Sequence, residues 1–310
     1  MNNVTLRQLR YFDALARLGH FGRAAEHCAV SQPALSVQIR ELEAALGMTL
    51  VERGARRVRL TAFGEALAGR AEAILRAVDD LEDLARAARG RFSGRLRMGI
   101  IPTIAPYLLP AILREVMADH PGLELQLRES LTSRLIEELA EGRLDCAILA
   151  LPISDPAFTE VELFAEEFVL VRPAAEAGRP VPDPERLSRM RLLLLEEGHC
   201  FRDQALAFCN LSPERPRELL DGSTLSTLVQ MVGAGLGVTL IPEMALPVET
   251  RSAAVSVARF PAPAPARRIG IIWRASTPLA EPLRDIGAAV RRAALAERAA
   301  AGLGRPAPAT

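Results

Sequence analysis

A change of rhythm near Gly94, where helical patterns give way to short apolar runs alternating with helices, restricts the fold more than any other feature. "RLRMGIIP" reads as a strand, "IAPYLLPAILREVMADHP" as a helix, "LELQLRES" as a strand, "LTSRLIEELAEGRL" as a helix and "DCAILAL" as a strand. Such alternation predicts a parallel sheet with helices on its faces. A second set follows Glu160, with "ELFAEEFVLVRP", "RLLLLEE", a helix from Phe201, "LSTLVQMVGAGLG" and "VTLIP". "RRIGIIWR" and the closing helix "PLAEPLRDIGAAVRRAALAERAA" are most simply explained as a return to the first set. The expectation is an α/β unit over 92–300 in two lobes with a cleft between them. One lobe covers about 92–162 and 268–300 and the other about 163–267, and 301–310 is expected to be a disordered tail. Ligands of such sheets bind beyond the carboxyl ends of strands. Thr103 and Thr132 lie at two such ends, where each also fits as a simple helix N-cap.

Before Gly94 the chain reads as all-α. Apolar positions recur at helical spacing from Leu6 to Leu18, Gly19 supplies a stop, and a short second helix covers roughly 23–28. In "SQPALSVQIRELEAALG", Ser31 is a good N-cap, Pro33 lies in the tolerated first turn and Gly47 ends the run. Leu35, Ile39, Leu42 and Leu46 form one apolar stripe, which must face a core. Gln32, Ser36 and Arg40 share the opposite face with Pro33 and Val37 beside them. Two helices joined by a short turn make a helix-turn-helix candidate, and amide, hydroxyl and guanidinium groups can read base edges in a major groove. A plain solvated face would carry the same three residues. "LVERGARRVRLTAFG" adds a short basic hairpin with Arg53, Arg56, Arg57 and Arg59, a wing placed to meet phosphates. Residues 1–60 hold nine arginines against five acids although the whole chain has a net charge of zero, which favours a phosphate-rich partner for this part alone. Residues 1–60 are thus expected to form an all-α winged helix-turn-helix domain, and 61–91 a long linker helix. Ile74, Val78, Leu81, Ala85 and Ala88 give that helix a coiled-coil seam, so it is expected to pair with its copy in a second subunit and set two reading helices about one DNA turn apart.

The chain has 310 residues and no apolar run near the ~18 that would span a membrane, nor a leader of the secretory kind at its N-terminus. A cytoplasmic protein with no membrane partner is expected. Four cysteines, Cys28, Cys146, Cys200 and Cys209, are too few for a secreted disulfide framework, and their spacing with four histidines makes no metal site. Cys28 and Cys146 read as buried small residues. No cofactor is expected.

The remaining pair lies in "GHCFRDQALAFC". A continuous helix rises ~1.5 Å per residue and would hold the two α-carbons roughly 13 Å apart, whereas a disulfide tolerates about 7 Å at most. Pairing therefore demands that this segment unwind or be a loop already. Cys200 stands where the helix begins, with His199 before it and Arg202 two places on, and open N–H groups, the helix dipole and a fixed positive charge all favour thiolate. Cys200 is the peroxidatic candidate. Its sulfenic acid could condense with a nearby thiol, which makes Cys209 the resolving candidate. Cys209, among Ala205, Leu206 and Phe208, fits an inert buried residue as well.

"FGRAAEHCAVSQPALSVQIRELEAALGMTLVERGARRVRLTAFGEAL" resembles the winged helix-turn-helix of LysR-type transcriptional regulators. Carried over by position, the resemblance implies DNA contacts by Gln32, Pro33, Ser36, Arg53 and Arg57. The α/β part resembles the two-lobed, periplasmic-binding-protein-like regulatory domain of the same family. "LLEEGHCFRDQALAFC" is similar to the redox segment of the OxyR hydrogen-peroxide sensors, a LysR-type subfamily, with Phe201 in place of the commoner leucine. This resemblance implies a Cys200–Cys209 disulfide formed on peroxide oxidation, Thr103 and Thr132 hydrogen-bonding peroxide or the water it replaces, and His199, Arg202 and Asp203 shaping the thiolate pocket. Arg274 is a weaker candidate for that pocket. The resemblance further implies a regulator, not an enzyme, that acts on promoter DNA of peroxide-defence genes as a homotetramer built from two dimers. RNA polymerase and a thiol reductant follow as partners. Two alternatives stay open on the residues alone: a LysR-type regulator with a small organic effector in the cleft, and a thiol peroxidase, for which the DNA-binding part would be surplus.

Overall fold

A computed structural model of the chain describes residues 4–52, 58–87, 94–209 and 221–302, in two compact units, Met1–Ala85 and Arg86–Thr310. In the first, α1 (Leu6–Leu18) starts at a capping box in which Thr5 and Gln8 exchange side-chain and backbone hydrogen bonds. It is followed by α2 (Phe21–His27) and α3 (Gln32–Leu46), and the Ser31 hydroxyl accepts from the Ala34 N–H at 3.3 Å. Leu35, Ile39 and Leu42 of the apolar stripe are buried against Phe12, Leu15 and Ala24. The buried Glu43 carboxylate accepts the Leu50 N–H at 2.8 Å and so ties the chain after α3 back to that helix. Val51 and Leu60 form an antiparallel bridge, while residues 53–57 of the expected wing lie outside the described residues. The long helix α4 (Ala62–Ala87) lays Ala71, Leu67 and Leu75 on the same core. Ile74 and Leu81 of the expected seam are 47% and 64% exposed. Ala88 and Gly90 lie outside the described residues.

The second unit begins with β1 (Gly94–Ile100), α5 (Ala105–Asp119), β2 (Leu123–Glu129), α6 (Thr132–Ala140) and β3 (Cys146–Leu151), followed by the long β4 (Phe158–Pro173). Then come α7 (Pro184–Arg189), β5 (Leu192–Leu195), α8 (Cys200–Phe208), β6 (Asp221–Gly222), α9 (Leu225–Gly233), β7 (Val238–Pro242) and α10 (Leu246–Glu249). The closing elements are β8 (Val255–Arg259), β9 (Ala266–Arg274) and α11 (Ala280–Ala300). The strands run β2-β1-β3-β9-β4-β7-β5-β6, with β8 also on β4.

The sheet is not simply parallel, which corrects the expectation from alternation. β1 pairs in parallel with β2 and β3, and β5 with β6 and β7, but β9 is antiparallel to both β3 and β4, and β4 is antiparallel to β7 and β8. The two parallel sets are joined through β4 and β9, a long antiparallel pair whose register shifts between Glu162 and Phe164. Each set has its own apolar core, one around Met98, Ile148 and Trp273 and the other around Leu170, Leu193 and Val229. No helix among the described residues is long and apolar enough to cross a membrane.

Candidate functional site

Thr103 follows β1 and Thr132 opens α6 after β2, so both stand at carboxyl ends of neighbouring parallel strands. The turn before α8 comes to meet them. Gly198 has φ +93°, a region open to glycine, and a side chain there would press on Leu131 at 3.0 Å. This close approach seats His199 and Cys200 against Leu131 and Thr132. A narrow recess results, lined by Ile101, Pro102, Thr103, Leu131, Thr132, His199 and Cys200, with no room for a water-sized molecule until its walls part slightly.

The cavity's hydroxyls are unequal. Thr103 is 3% exposed, and its Oγ1 accepts from Arg267 Nη1 at 2.7 Å, which leaves the hydroxyl proton free to be donated. Thr132 Oγ1 is buried with no hydrogen-bond partner among the described residues, which is costly for a polar atom unless a small polar guest satisfies it. Burial pushes the His199 imidazole below its ordinary value, against the pull of the Glu196 carboxylate. Cys200, half-buried at the first position of α8, packs against the core of the first strand set.

Cys209 sits at the other end of the same helix, fully buried in the other core, and burial alone pushes its thiol up to about 11. The two thiols thus belong to different cores, separated by an intact helix. Cys146 is buried in β3, whereas Cys28 caps α2 and is only partly buried, contrary to expectation. No group of three or more metal-ligating side chains is placed together among the described residues.

Thr103, Thr132, His199 and Cys200 are brought together; three other expected pocket residues are not. Arg202 is buried, but its Nη1 donates to the Leu195 carbonyl at 2.7 Å and to Asp221 at 2.8 Å, bolting α8 to β5 and β6. Asp203 is exposed on α8, and Arg274 donates to the carbonyls of Leu139 and Leu144 at 2.9 and 3.1 Å. The arginine that serves the cavity is Arg267. It is buried, ion-pairs with Glu166 at 2.8 Å, holds both oxygens of Thr103 and lies 5.5 Å over the Phe201 ring. Its signal was present in "ARRIGIIWR", where two-residue alternation puts Arg267 on the buried face with Ile269 and Ile271.

On α3, Gln32, Pro33 and Arg40 are exposed and Ser36 is half-buried, with the Arg40 Nε donating to the Ser36 carbonyl at 3.3 Å. Arg53 and Arg57 lie outside the described residues.

Two family models match the chain, "Bacterial regulatory helix-turn-helix protein, lysR family" over residues 6–65 and "LysR substrate binding domain" over residues 89–295. A probable hydrogen peroxide-inducible genes activator of Streptomyces viridosporus is 45% identical over 293 residues, covering 93% of this chain and 94% of the relative. The DNA-binding transcriptional dual regulator OxyR of Escherichia coli K12 is 40% identical over 290 residues, covering 93% and 95%. Among solved structures, a full-length OxyR variant from Pseudomonas aeruginosa matches with TM-score 0.74 and 37% identity over 93% of this chain and 95% of that one. A hydrogen-peroxide-bound OxyR mutant from Corynebacterium glutamicum matches with TM-score 0.68 and 36% identity over 99% of both chains. With a helix-turn-helix unit, a two-lobed α/β unit and a thiol at the strand ends, the chain belongs to the LysR family of bacterial transcriptional regulators, in its OxyR branch.

Proposed function

We propose that this protein is a transcriptional regulator that senses hydrogen peroxide through Cys200 and transmits the signal by a disulfide with Cys209. The observation that carries the reading is the buried Thr132 hydroxyl, which has no partner among the described residues and lines one narrow recess with Cys200, Thr103 and His199. A peroxide molecule there would accept a hydrogen bond from the Thr103 hydroxyl, satisfy Thr132 and lie against the sulfur. The Cys200 thiolate attacks one peroxide oxygen; an S–O bond forms, the O–O bond breaks, and the departing hydroxide takes up the proton that ionisation of the Cys200 thiol released and leaves as water. The Cys209 thiolate then attacks the sulfenic sulfur; an S–S bond forms, the S–O bond breaks, and a second water leaves. Two thiols are oxidised and one peroxide is reduced.

Because α8 holds the thiols at opposite ends and in different cores, the second step requires that the helix unwind and Cys209 leave its core. Remodelling of about 200–220 would alter packing between regulatory domains and, through it, DNA contacts. Gln32, Pro33, Ser36, Arg53 and Arg57 are proposed to meet promoter DNA, with 1–60 as a winged domain, 61–91 as the dimerising linker and 92–300 as the sensing domain with a periplasmic-binding-protein-like build. The exposed Ile74 and Leu81 on α4 support pairing with a second copy, and a homotetramer is proposed on the family's pattern. RNA polymerase, a thiol reductant and a cytoplasmic setting complete the reading.

The test is peptide mass spectrometry on reduced protein after about one equivalent of hydrogen peroxide, with remaining thiols trapped by alkylation. A linked Cys200–Cys209 peptide is expected in wild type, and a sulfenic or over-oxidised Cys200 in Cys209→Ser. Two freely alkylated thiols in wild type would refute the mechanism.

A further inference from the structure

A second cavity, of about 250 Å³, lies in the Arg86–Thr310 unit among α5, β4, α10 and the end of α11. It shares no lining residue with the thiol cavity. Leu108, Phe164, Met244, Val248 and Ala294 make its walls largely apolar. The charged groups around it are already committed to protein partners. Arg298 meets Glu243 at 3.0 Å, Glu166 meets Arg267 at 2.8 Å, and the Tyr107 hydroxyl donates to Glu249 at 2.6 Å. Glu297 accepts from Arg114 at 2.7 Å through Oε1, its side chain is 43% exposed, and Oε2 takes no hydrogen bond among the described residues.

These facts select a class of guest. Arg298 shares Glu243 with Arg259, the 0%-exposed Glu166 holds Arg267, and Glu297 holds Arg114, so a charged guest of either sign would lose hydration at a wall whose charges already have partners. An apolar cavity of about 150 Å³ is known to take benzene, so this larger space suits one or two rings. We propose that the cavity binds a small uncharged aromatic molecule with one hydrogen-bond donor, of the phenol or indole class, its ring against Phe164, Met244 and Ala294 and its donor on Glu297.

The site has a physical route to the thiol. Glu166 forms part of this cavity's wall and holds Arg267; Arg267 holds Thr103; and Thr103 lines the thiol cavity. A ring packed against Glu166 biases this buried relay, so occupancy changes the rate at which Cys200 meets peroxide. That consequence rests on the function proposed above, whereas the binding does not.

Indole titrated calorimetrically into reduced full-length protein tests the binding. Saturable one-to-one uptake is expected, weakened at least tenfold by Val248→Trp or Ala301→Trp. Both positions line the cavity from exposed sites, so a larger ring there fills it without disturbing a core. No saturable uptake up to millimolar indole, uptake unchanged in both filled variants, or tighter uptake of benzoate than of indole would overturn the site. At saturating indole the trapped rate of Cys200 oxidation is expected to change at least twofold in wild type and not in Val248→Trp; an unchanged wild-type rate would overturn the relay. A protein that takes up indole while Cys200 ignores peroxide would retire the proposed function and leave this site standing.

Discussion

Two threonines at equivalent strand ends do different work. The Thr103 hydroxyl is oriented by Arg267, while the Thr132 hydroxyl has no partner to lose among the described residues. Thr132→Val is therefore expected to slow Cys200 oxidation about ten- to a hundredfold, for a lost hydrogen bond to a charged centre of about 1.5–3 kcal/mol. Its unfolding midpoint should not fall and is expected to rise slightly, because the valine removes a buried hydroxyl with no partner among the described residues. Stopped-flow trapping beside thermal melts checks both halves, and an unchanged rate would remove Thr132 from the site. Cys209 carries a separate signature. Its folded value of about 11 lies above the ~8.5 of an unfolded thiol, so its contribution to stability is whole below pH ~8.5 and is lost as pH rises through about 11. Melts of reduced protein from pH 8 to 11 should fall more steeply for wild type than for Cys209→Ala, by roughly 3 kcal/mol at the alkaline end. Parallel curves would show that burial does not hold this thiol neutral. Cys200, Thr103 and Thr132 were legible as residue types at strand and helix ends. The role of Arg267 was not, because a guanidinium's partners are set by where β9 lies beside β4, which lies far from it in sequence.

Elements with several turns or a clear cap were plain in the chain. Ser31, Pro33 and Gly47 bracket α3, and the unbroken apolar "LLLL" of β5 reads as a buried strand. The short α7, α10, β6 and β8 carried too few residues for any period to register. Between α2 and α3, Ala29 adopts φ 53°, a left-handed conformation that costs a residue with a β-carbon about 1–2 kcal/mol. Glycine there would relieve that cost against about 0.4–1 kcal/mol of added freedom in the unfolded chain. Ala29→Gly should therefore stabilise the helix-turn-helix unit by about 0.5–1 kcal/mol in urea unfolding. A loss of stability would mean that the Ala29 methyl holds contacts worth more than the strain.

At the scale of the sensing unit, Glu166 and Arg267 form an ion pair with both side chains 0% exposed, between the two strands that link the parallel sets. Removing one partner strands the other charge, so Glu166→Leu is expected to cost about 3–5 kcal/mol, while Glu166→Leu with Arg267→Met should recover most of it. Urea denaturation of the four proteins of that cycle decides the matter, and additive losses would mean that the charges do not act as a pair. The sequence by itself determined the helix-turn-helix, the change to α/β at Gly94 and the thiol-bearing segment, because caps, periodicity and a run such as "GHCFRDQ" are local and survive without tertiary contacts. Only the tertiary structure decided that the linking strands run antiparallel, that Arg202 and Arg274 turn to other partners, and that Cys200 and Cys209 lie in separate cores. Those outcomes depend on which distant strands pair and on the desolvation of charges brought together by that pairing, and neither quantity is written into any short stretch of chain.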